Sequence, residues 1–264
     1  MATRVLRAGN FWPTIEADCQ DYVRKCKPCQ EHGNLIHQKQ EQLHHIISPW
    51  PFAKWGMDIL GHFSPGKGQL KFLIVVVDYF TNWIEAKPLS RPSRFNSLFG
   101  RIACRCGIPH TIITDNGRQF IDKELAKFYI GLDIKHITSS VEHPQTNGQA
   151  EAANKVILME LRKRLDSAKG QWPEELVEVL WAYKCTPQSA TNESPFNLVY
   201  GADAMIPVEI GELSLRRELY DPTHNHQNMA THFNLLPKLR EKAQILNLAA
   251  KRRAAKKYNT NLCP

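Results

Sequence analysis

The sequence LKFLIVVVDY, from Leu70 to Tyr79, contains four consecutive β-branched residues and only two charged ones. A continuous apolar run of this length is typical of a strand that is buried on both faces of a sheet. Strand patterns at Lys54–Leu60 and Trp83–Pro88 lie on either side of it. A loop with proline and two glycines, Ser64–Gly68, and a tight turn, Asp78–Asn82, join the three segments. Short connections between neighbouring strands predict an antiparallel meander.

Helical and strand patterns alternate after the meander. In chain order they are a helix from Phe95 to Cys106, a strand at His110–Thr114, a helix at Lys123–Leu132, a strand at Ile134–Thr138, and helices at Gln149–Ser167 and Pro173–Tyr183. Thr146 and Gln149 match a capping box at the start of the long helix. Three meander strands followed by alternating helices and strands predict an α/β fold, with a mixed sheet and helices packed on it.

Two closely spaced prolines in Ser48-Pro49-Trp50-Pro51 break the regular patterns and mark a domain boundary. We predict three segments: a small N-terminal segment at 1–47, the α/β domain at 48–212, and a basic helical extension at 213–264. Residues 224–258 have apolar residues at helical spacing, and we expect Pro237 to interrupt that helix or to begin it.

The formal net charge of +8 is placed unevenly along the chain. Residues 216–264 contain ten Lys and Arg but only three Asp and Glu, whereas residues 1–215 are almost neutral. A basic segment indicates a polyanionic partner, although a solvated tail explains the charge equally well.

The seven scattered cysteines indicate a reducing compartment rather than a disulfide framework. We find no secretory signal and no apolar stretch of the roughly 20 residues that cross a bilayer, so we expect no membrane partner.

Three carboxylates fall where strands or a helix start meet one edge of the predicted sheet: Asp58, Asp115 and Glu151. Taken singly, Asp115 is explained by the turn Asp115-Asn116-Gly117, and Glu151 by the favourable dipole at a helix start. Asp58 requires a further explanation, because a carboxylate among apolar strand residues costs energy unless it is paired or bound to a metal ion. Fifty-six residues lie between Asp58 and Asp115, and 35 lie between Asp115 and Glu151.

The sequences around these carboxylates resemble the D,D-35-E catalytic core of retroviral-type integrases, in particular those of Gypsy-type LTR retrotransposons of plants. The matching stretches are Gly56-Met57-Asp58, Thr114–Phe120 and His143–Glu151. Further motifs of the family occur in the same order over most of the chain, namely Phe11–Thr14, Cys26–Gln30, Val77–Thr81, Cys106–Pro109, Leu180–Tyr183 and Ser194–Phe196. Several independent motifs in the right order make the resemblance specific.

The resemblance implies an RNase H-like fold, with a five-stranded mixed sheet flanked by helices. It also implies that Asp58, Asp115 and Glu151 hold two Mg²⁺ or Mn²⁺ ions, which suits the preference of these cations for carboxylate oxygen. The implied enzyme is an integrase, which processes the 3′ ends of retrotransposon DNA and joins them to target DNA. The implied partners are these DNAs and further copies of the chain. The implied location is the nucleus, with a cytoplasmic stage before import.

Four further residues are implied to contact DNA: Lys155, Asn116, Gln119 and His143. An ion pair with Glu151, one helical turn away, would explain Lys155 equally well. Asn116 is also typical of a turn, and His143 is typical of a loop residue before proline.

The N-terminal segment carries half of a zinc motif. Integrases of this family bind zinc through a His pair and a Cys pair, and Cys26 and Cys29 have the spacing of the Cys pair. The His pair, expected upstream of Val5–Gly9, is absent from the sequence, so we expect a zinc-binding-like remnant rather than a complete Zn²⁺ site. The family's C-terminal DNA-binding module is likewise absent after the basic helix, and we expect a chain truncated at both ends.

Two other functions stay open from the sequence. The segment Leu89–Ala103 is a few residues shorter than the family pattern, which favours a catalytically decayed, nucleic-acid-binding relic or a host-adopted module. An RNase H-like nuclease acting on RNA–DNA hybrids would use the same sheet and carboxylates, although the spacing and the stretch His143–Glu151 favour the integrase.

Overall fold

The structure, a computed structural model, describes residues 2–7, 9–26, 47–91, 96–121, 123–138, 148–165, 170–205, 218 and 220–259. These residues form two compact units. One unit contains the described residues of 38–184 and 249–264, and the other contains those of 1–37 and 185–248. The predicted boundaries at 47/48 and 212/213 stay predictions, because residues 27–46 and 206–217 lie outside the described part of the chain.

The described elements, in chain order, are α1 (Ala2–Arg7), α2 (Ile15–Lys25), β1 (Lys54–Gly66), β2 (Leu70–Asp78), β3 (Ile84–Leu89), α3 (Asn96–Cys106), β4 (Thr111–Thr114), α4 (Lys123–Gly131), β5 (Lys135–Thr138), α5 (Gly148–Leu165), α6 (Trp172–Lys184), α7 (Pro195–Tyr200) and α8 (Pro222–Asn259). The strands form one sheet in the order β3-β2-β1-β4-β5. The pairs β1–β2 and β2–β3 are antiparallel, whereas β1–β4 and β4–β5 are parallel. The antiparallel meander and the mixed five-stranded sheet flanked by helices are therefore confirmed.

Strand β2 lies at the centre of the core, as its apolar run predicts. The five residues Leu73–Val77 are each at most 1% exposed. Because side chains alternate along a strand, Leu73, Val75 and Val77 share one face and pack against α5 and α6. The residues that complete this cluster include Ile84, Ala150, Ala153, Ile157, Leu161, Trp172, Leu176 and Val179. The long helix and the one after it thus cover one face of the sheet.

Strand β1 is longer than predicted, because it continues from Leu60 to Gly66. The predicted loop Ser64–Gly68 is therefore mostly strand, and only residues 67–69 form the turn. Contacts with α6 explain the extension: the Trp172 indole N–H donates to the Ser64 carbonyl at 2.9 Å, and its ring stacks on Phe63. A tryptophan far along the chain thus provides a hydrogen-bond donor for a backbone carbonyl in a segment whose local sequence favours a loop.

The second unit contains α1, α2, α7 and most of α8. Helix α7 has regular caps, since the Ser194 hydroxyl accepts a hydrogen bond from the Asn197 N–H and Gly201 adopts a left-handed φ of 73°. The Arg240 guanidinium of α8 donates to two carbonyls near the end of α7.

Pro237 lies inside α8, so the prediction that it interrupts or begins this helix was wrong. Among the described helices, none has the length and apolar character needed to cross a membrane.

Asp78 ends β2 and organises the turn to β3. It is fully buried, and one carboxylate oxygen accepts hydrogen bonds from both the N–H and the hydroxyl of Thr81. The other oxygen accepts from the Phe52 N–H at 3.0 Å, which fixes the segment before β1. Burial raises the pKa of Asp78 to about 6 despite these hydrogen bonds. Asp78 is therefore a structural residue, and its protonation is coupled to folding.

We predict that Asp78→Asn destabilises the protein more at pH 4.5 than at pH 8. The wild-type carboxyl binds its proton more tightly in the folded state than in the unfolded state. It therefore stabilises the fold at low pH and loses that contribution as the pH rises through about 6. The difference in the free energy of unfolding between wild type and variant should grow by about 2 kcal/mol between pH 8 and pH 4.5. Urea unfolding at both pH values measures it, and a difference that shrinks at low pH would contradict the assignment.

Candidate active site

The sheet topology brings Asp58 and Asp115 side by side. Strands β1 and β4 are parallel neighbours, and Gly56 pairs with Ile113. Asp58 and Asp115 each lie two residues further along from this pair. The two carboxylates therefore extend from neighbouring backbone segments at the same level. Asp58 lies within β1, whereas Asp115 directly follows β4 and is half-buried.

Helix α5 supplies the third carboxylate. Glu151 lies in its first turn and is half-buried. The buried positions Ala150 and Ala153 on the same helix are small, which permits a close approach of α5 to the sheet. The negative charge of Glu151 contributes to raised pKa values at both Asp58 and Tyr79, after burial as the larger cause. The helix start therefore lies beside β1 and the end of β2.

The carboxylate of Asp58 is held by two hydrogen bonds. It accepts hydrogen bonds from the Ile59 N–H at 2.7 Å and from the Asn154 side-chain amide at 2.6 Å. Burial, together with the nearby charges of Asp115 and Glu151, raises the pKa of Asp58 to about 6 despite these hydrogen bonds. The structure thus places the three predicted catalytic carboxylates together as electrostatic neighbours.

The three carboxylates do not form a closed ligand group. Among the described residues, no cluster of three or more His, Cys, Asp or Glu side chains is arranged to hold a metal ion. One Asp115 oxygen accepts a hydrogen bond from the Gly117 N–H at 3.0 Å, within the predicted turn. The donor set nevertheless fits Mg²⁺ or Mn²⁺, because it consists of carboxylate oxygens and its charges repel one another without a cation. The residues present are therefore suited to divalent ions.

Asn154 is a site residue that the sequence analysis missed. It lies one helical turn after Glu151, is 3% exposed, and donates to Asp58. Its amide oxygen is buried and accepts no hydrogen bond from the described residues. The available signal was a polar residue on the buried face of α5, among Ala150, Ala153 and Ile157. A buried amide on an apolar helix face requires a partner, and here that partner is the central carboxylate.

A second missed contact lies on the other side of Asp115. The Thr114 hydroxyl donates to the Asp115 carbonyl and lies 2.9 Å from the His136 Nε2 atom. Since that hydroxyl has one hydrogen, His136 must donate through Nε2, which requires a protonated Nε2. Burial lowers the pKa of His136, which favours the neutral ring. These contacts fix the end of β4, from which Asp115 extends.

The structure describes three of the four residues that are predicted to contact DNA. Lys155 and Asn116 are exposed, and Gln119 is half-buried against Gly117, where an added Cβ would collide with its amide. Among the described residues, Lys155 makes no ion pair with Glu151. His143 lies outside the described residues. All four roles stay predictions.

The zinc remnant and the capping box also stay predictions. Cys26 is half-buried just after α2, but its motif partner Cys29 is not among the described residues. Thr146 likewise falls outside them. The side chain of Gln149, its predicted capping partner, instead contacts the β2–β3 turn and α8.

We predict that Asp58→Asn changes thermal stability in opposite directions without and with a divalent ion. Without metal at pH 8, the substitution removes a buried charge that Asp115 and Glu151 repel, so the Tm should rise. With Mn²⁺ at about 100 times its Kd, the wild type should gain about 2.7 kcal/mol, or roughly 5–10 °C, and the variant much less.

Differential scanning calorimetry with and without Mn²⁺ measures both effects. Asp133→Asn is the matched control, because Asp133 is exposed before β5, at the opposite end of that strand from Asp115. This control should follow the wild type in both conditions. Equal gains from Mn²⁺ in the wild type and in Asp58→Asn would refute metal binding at this position.

Comparison with known sequences agrees with this geometry. Residues 49–144, which include Asp58 and Asp115, match the integrase core domain family. An uncharacterised protein of Caenorhabditis elegans is 30% identical over 251 residues, covering 91% of this chain and 19% of that protein. The human Gypsy retrotransposon integrase-like protein 1 is 24% identical over 206 residues, covering 77% of this chain and 39% of that protein. The chain therefore spans less than half the length of either relative.

A solved structure shares the fold. It is a chain of the simian T-cell lymphotropic virus intasome, determined in complex with PP2A regulatory subunit B56 gamma. The TM-score is 0.55 at 20% identity, and the match covers 78% of this chain and 76% of that chain. The fold is thus RNase H-like, as in retroviral integrase cores. Residues 49–144 belong to the integrase core domain family, and the chain is related in sequence to Gypsy retrotransposon integrase-like proteins and to retroviral Pol proteins.

Proposed function

We propose that this chain is the catalytic core of an integrase, which cleaves near the 3′ ends of retrotransposon DNA and joins those ends to target DNA. One observation carries the proposal: Asp58, Asp115 and Glu151 lie together as electrostatic neighbours within an integrase core fold. Three neighbouring carboxylates favour divalent cations, and phosphodiester transfer is a reaction that such cations support.

The proposed reaction consists of two displacements at phosphorus. First, water attacks a phosphodiester near the 3′ end, which leaves a free 3′-hydroxyl on the processed strand. That hydroxyl then attacks a phosphodiester of target DNA, forming one ester bond as another breaks. Asp58, Asp115 and Glu151 would hold two Mg²⁺ or Mn²⁺ ions, which supply activation of the attacking oxygen and stabilisation of the leaving oxygen.

The remaining residues of the site orient these carboxylates. Asn154 holds one oxygen of Asp58 through its amide, and the turn at Gly117 holds one oxygen of Asp115. Gln149 fixes the first turn of α5, from which Glu151 extends. Joining two element ends to chromosomal DNA requires two active sites and access to the nucleus, so we also propose a homo-oligomer and a nuclear location.

The direct test is a cleavage and joining assay. Duplexes with randomised terminal base pairs are incubated with the protein, Mn²⁺ and a supercoiled plasmid, and the products are sequenced. The wild type should yield shortened 3′ ends and plasmid joints. Asp115→Asn and Glu151→Gln should each lower both products by more than about 100-fold, because each removes a proposed metal ligand.

Asp133→Asn is again the control and should retain wild-type yields. Folded wild-type protein that gives neither product would contradict the proposal. Hydrolysis of an RNA–DNA hybrid without any DNA joining would instead favour the RNase H-like nuclease.

A second candidate is a nucleic-acid-binding module without catalysis. The observation that favours it is the open arrangement of the carboxylates, which form no metal-ligand cluster in the described residues. This candidate predicts salt-dependent DNA binding that is unchanged by Asp115→Asn, together with no cleavage by the wild type. The same assay therefore separates it from the integrase.

We predict that Asn154→Leu lowers kcat by about 10- to 100-fold while KM for DNA changes less than twofold. The substitution keeps the buried volume but removes the amide that orients Asp58, and loss of such an outer contact has effects of this size. Steady-state kinetics in Mn²⁺ measures both parameters, and a Tm measurement confirms that the variant is folded. An unchanged kcat in a folded variant would show that Asn154 has no positioning role.

A further inference from the structure

We propose that the basic end of α8, residues Ala249–Asn259, binds the sugar–phosphate backbone of duplex DNA beside the first turn of α5, the turn that carries Glu151. The inference rests on the proposed function, because the DNA bound there is the DNA on which the carboxylates act. It adds a specific surface, in a segment outside the region that matches the integrase core domain family.

A side-chain contact places the basic end beside the active site. Residues 249–259 belong to the same compact unit as the sheet. Lys251 is half-buried, and its ammonium group donates to the Gln149 amide oxygen at 3.3 Å. Gln149 lies two residues before Glu151 in the first turn of α5. The basic end is thus close in space to a proposed catalytic carboxylate.

The same glutamine is fixed on its other side. Its amide N–H group donates to the Asn82 side-chain oxygen at 2.8 Å and to the Tyr79 carbonyl at 3.3 Å. Gln149 therefore links the β2–β3 turn, the start of α5 and Lys251. Because both ends of its amide are engaged, the glutamine holds Lys251 in a defined position next to α5.

The basic end carries a cluster of positive charge. Residues 247–259 contain five Lys and Arg and no Asp or Glu. Arg252, Arg253 and Lys256 are exposed, and Arg252 and Lys256 lie one helical turn apart on the same face. The eleven residues of the basic end, Ala249–Asn259, span about 16 Å at 1.5 Å per residue, which is close to the length of five base pairs of DNA.

Charge complementarity identifies DNA as the occupant. The three carboxylates repel the phosphates of any substrate that approaches them, and this repulsion acts over about 10 Å at ordinary ionic strength. A positive surface next to α5 offsets that repulsion where the phosphates must come close. Polyanions in general would bind an isolated basic tail, but a basic surface beside a phosphodiester-transfer site favours the substrate of that site.

The test uses the full chain and two variants that each remove two positive charges. Arg252→Gln/Arg253→Gln alters the basic end. Lys67→Gln/Lys135→Gln is the matched control, because both lysines are exposed and lie away from the active site, in the β1–β2 turn and at the start of β5. Fluorescence anisotropy measures binding to a labelled 20-base-pair duplex in EDTA, where metal-dependent cleavage does not occur.

We expect Kd to rise at least tenfold for Arg252→Gln/Arg253→Gln and less than twofold for the control. The slope of log Kobs against log salt should fall by about 1.8 in magnitude for the first variant only. Arg252→Lys/Arg253→Lys keeps the charge and should retain most of the binding. Equal losses in the two glutamine variants, or no loss in the first, would overturn the proposal.

The outcome is separable from that of the cleavage assay. A wild type that binds DNA through Arg252 and Arg253 but never cleaves it would leave the DNA-binding surface standing and contradict the proposed catalysis. A wild type that cleaves, with an Arg252→Gln/Arg253→Gln variant that binds and cleaves normally, would overturn the surface alone. Tm measurements confirm that each variant is folded.

Discussion

The burial of the Asp58 carboxylate within strand β1 is the constraint on which the rest of the site depends. An ionised carboxylate that is half-buried among apolar strand residues is unfavourable unless donors or a cation compensate it. The described residues provide two donors, the Ile59 N–H and the Asn154 amide. Two further carboxylates, Asp115 and Glu151, lie close enough to make ionisation harder. We therefore expect this arrangement to destabilise the protein without metal, as is typical of a site that binds cations.

The topology of the sheet explains why three distant residues meet there. Strand β1 is an outer strand of the antiparallel meander, and β4 pairs with its other side in parallel, so β1 is the central strand of the sheet. The parallel register sets Asp115 level with Asp58, and α5 crosses the sheet with its first turn at the same place. The buried cluster under α5 and α6 holds this geometry, because its large side chains come from both helices and from β2 and β3.

Much of the fold was predictable because it depends on local patterns. The apolar run of β2, the short turns of the meander and the helical spacing of α3 to α6 all gave elements within a few residues of those observed. The extension of β1 to Gly66 was not predictable, because it depends on Trp172, which is distant in sequence. Helix α7 was missed although Ser194, Pro195 and Gly201 are regular cap signals, since six residues give little periodicity. The prediction that Pro237 interrupts or begins α8 was wrong, because the helix continues through this proline from Pro222 to Asn259.

The candidate site divides in the same way. Its three carboxylates were found through short motifs and their spacing, whereas Asn154, His136 and the contact between Gln149 and Lys251 were not. Each of these contacts joins residues that are far apart in the chain, so no local pattern reports it. Side-chain hydrogen bonds of this kind follow from the fold and become visible only once the sheet and helices are assembled.

The most direct measurement of the central claim is the position of bound Mn²⁺ in crystals of the protein, located by anomalous scattering. We predict that manganese binds between Asp58, Asp115 and Glu151, the three carboxylates that would hold the ions. Manganese bound elsewhere, with the carboxylate of Glu151 directed away from Asp58 and Asp115, would contradict it.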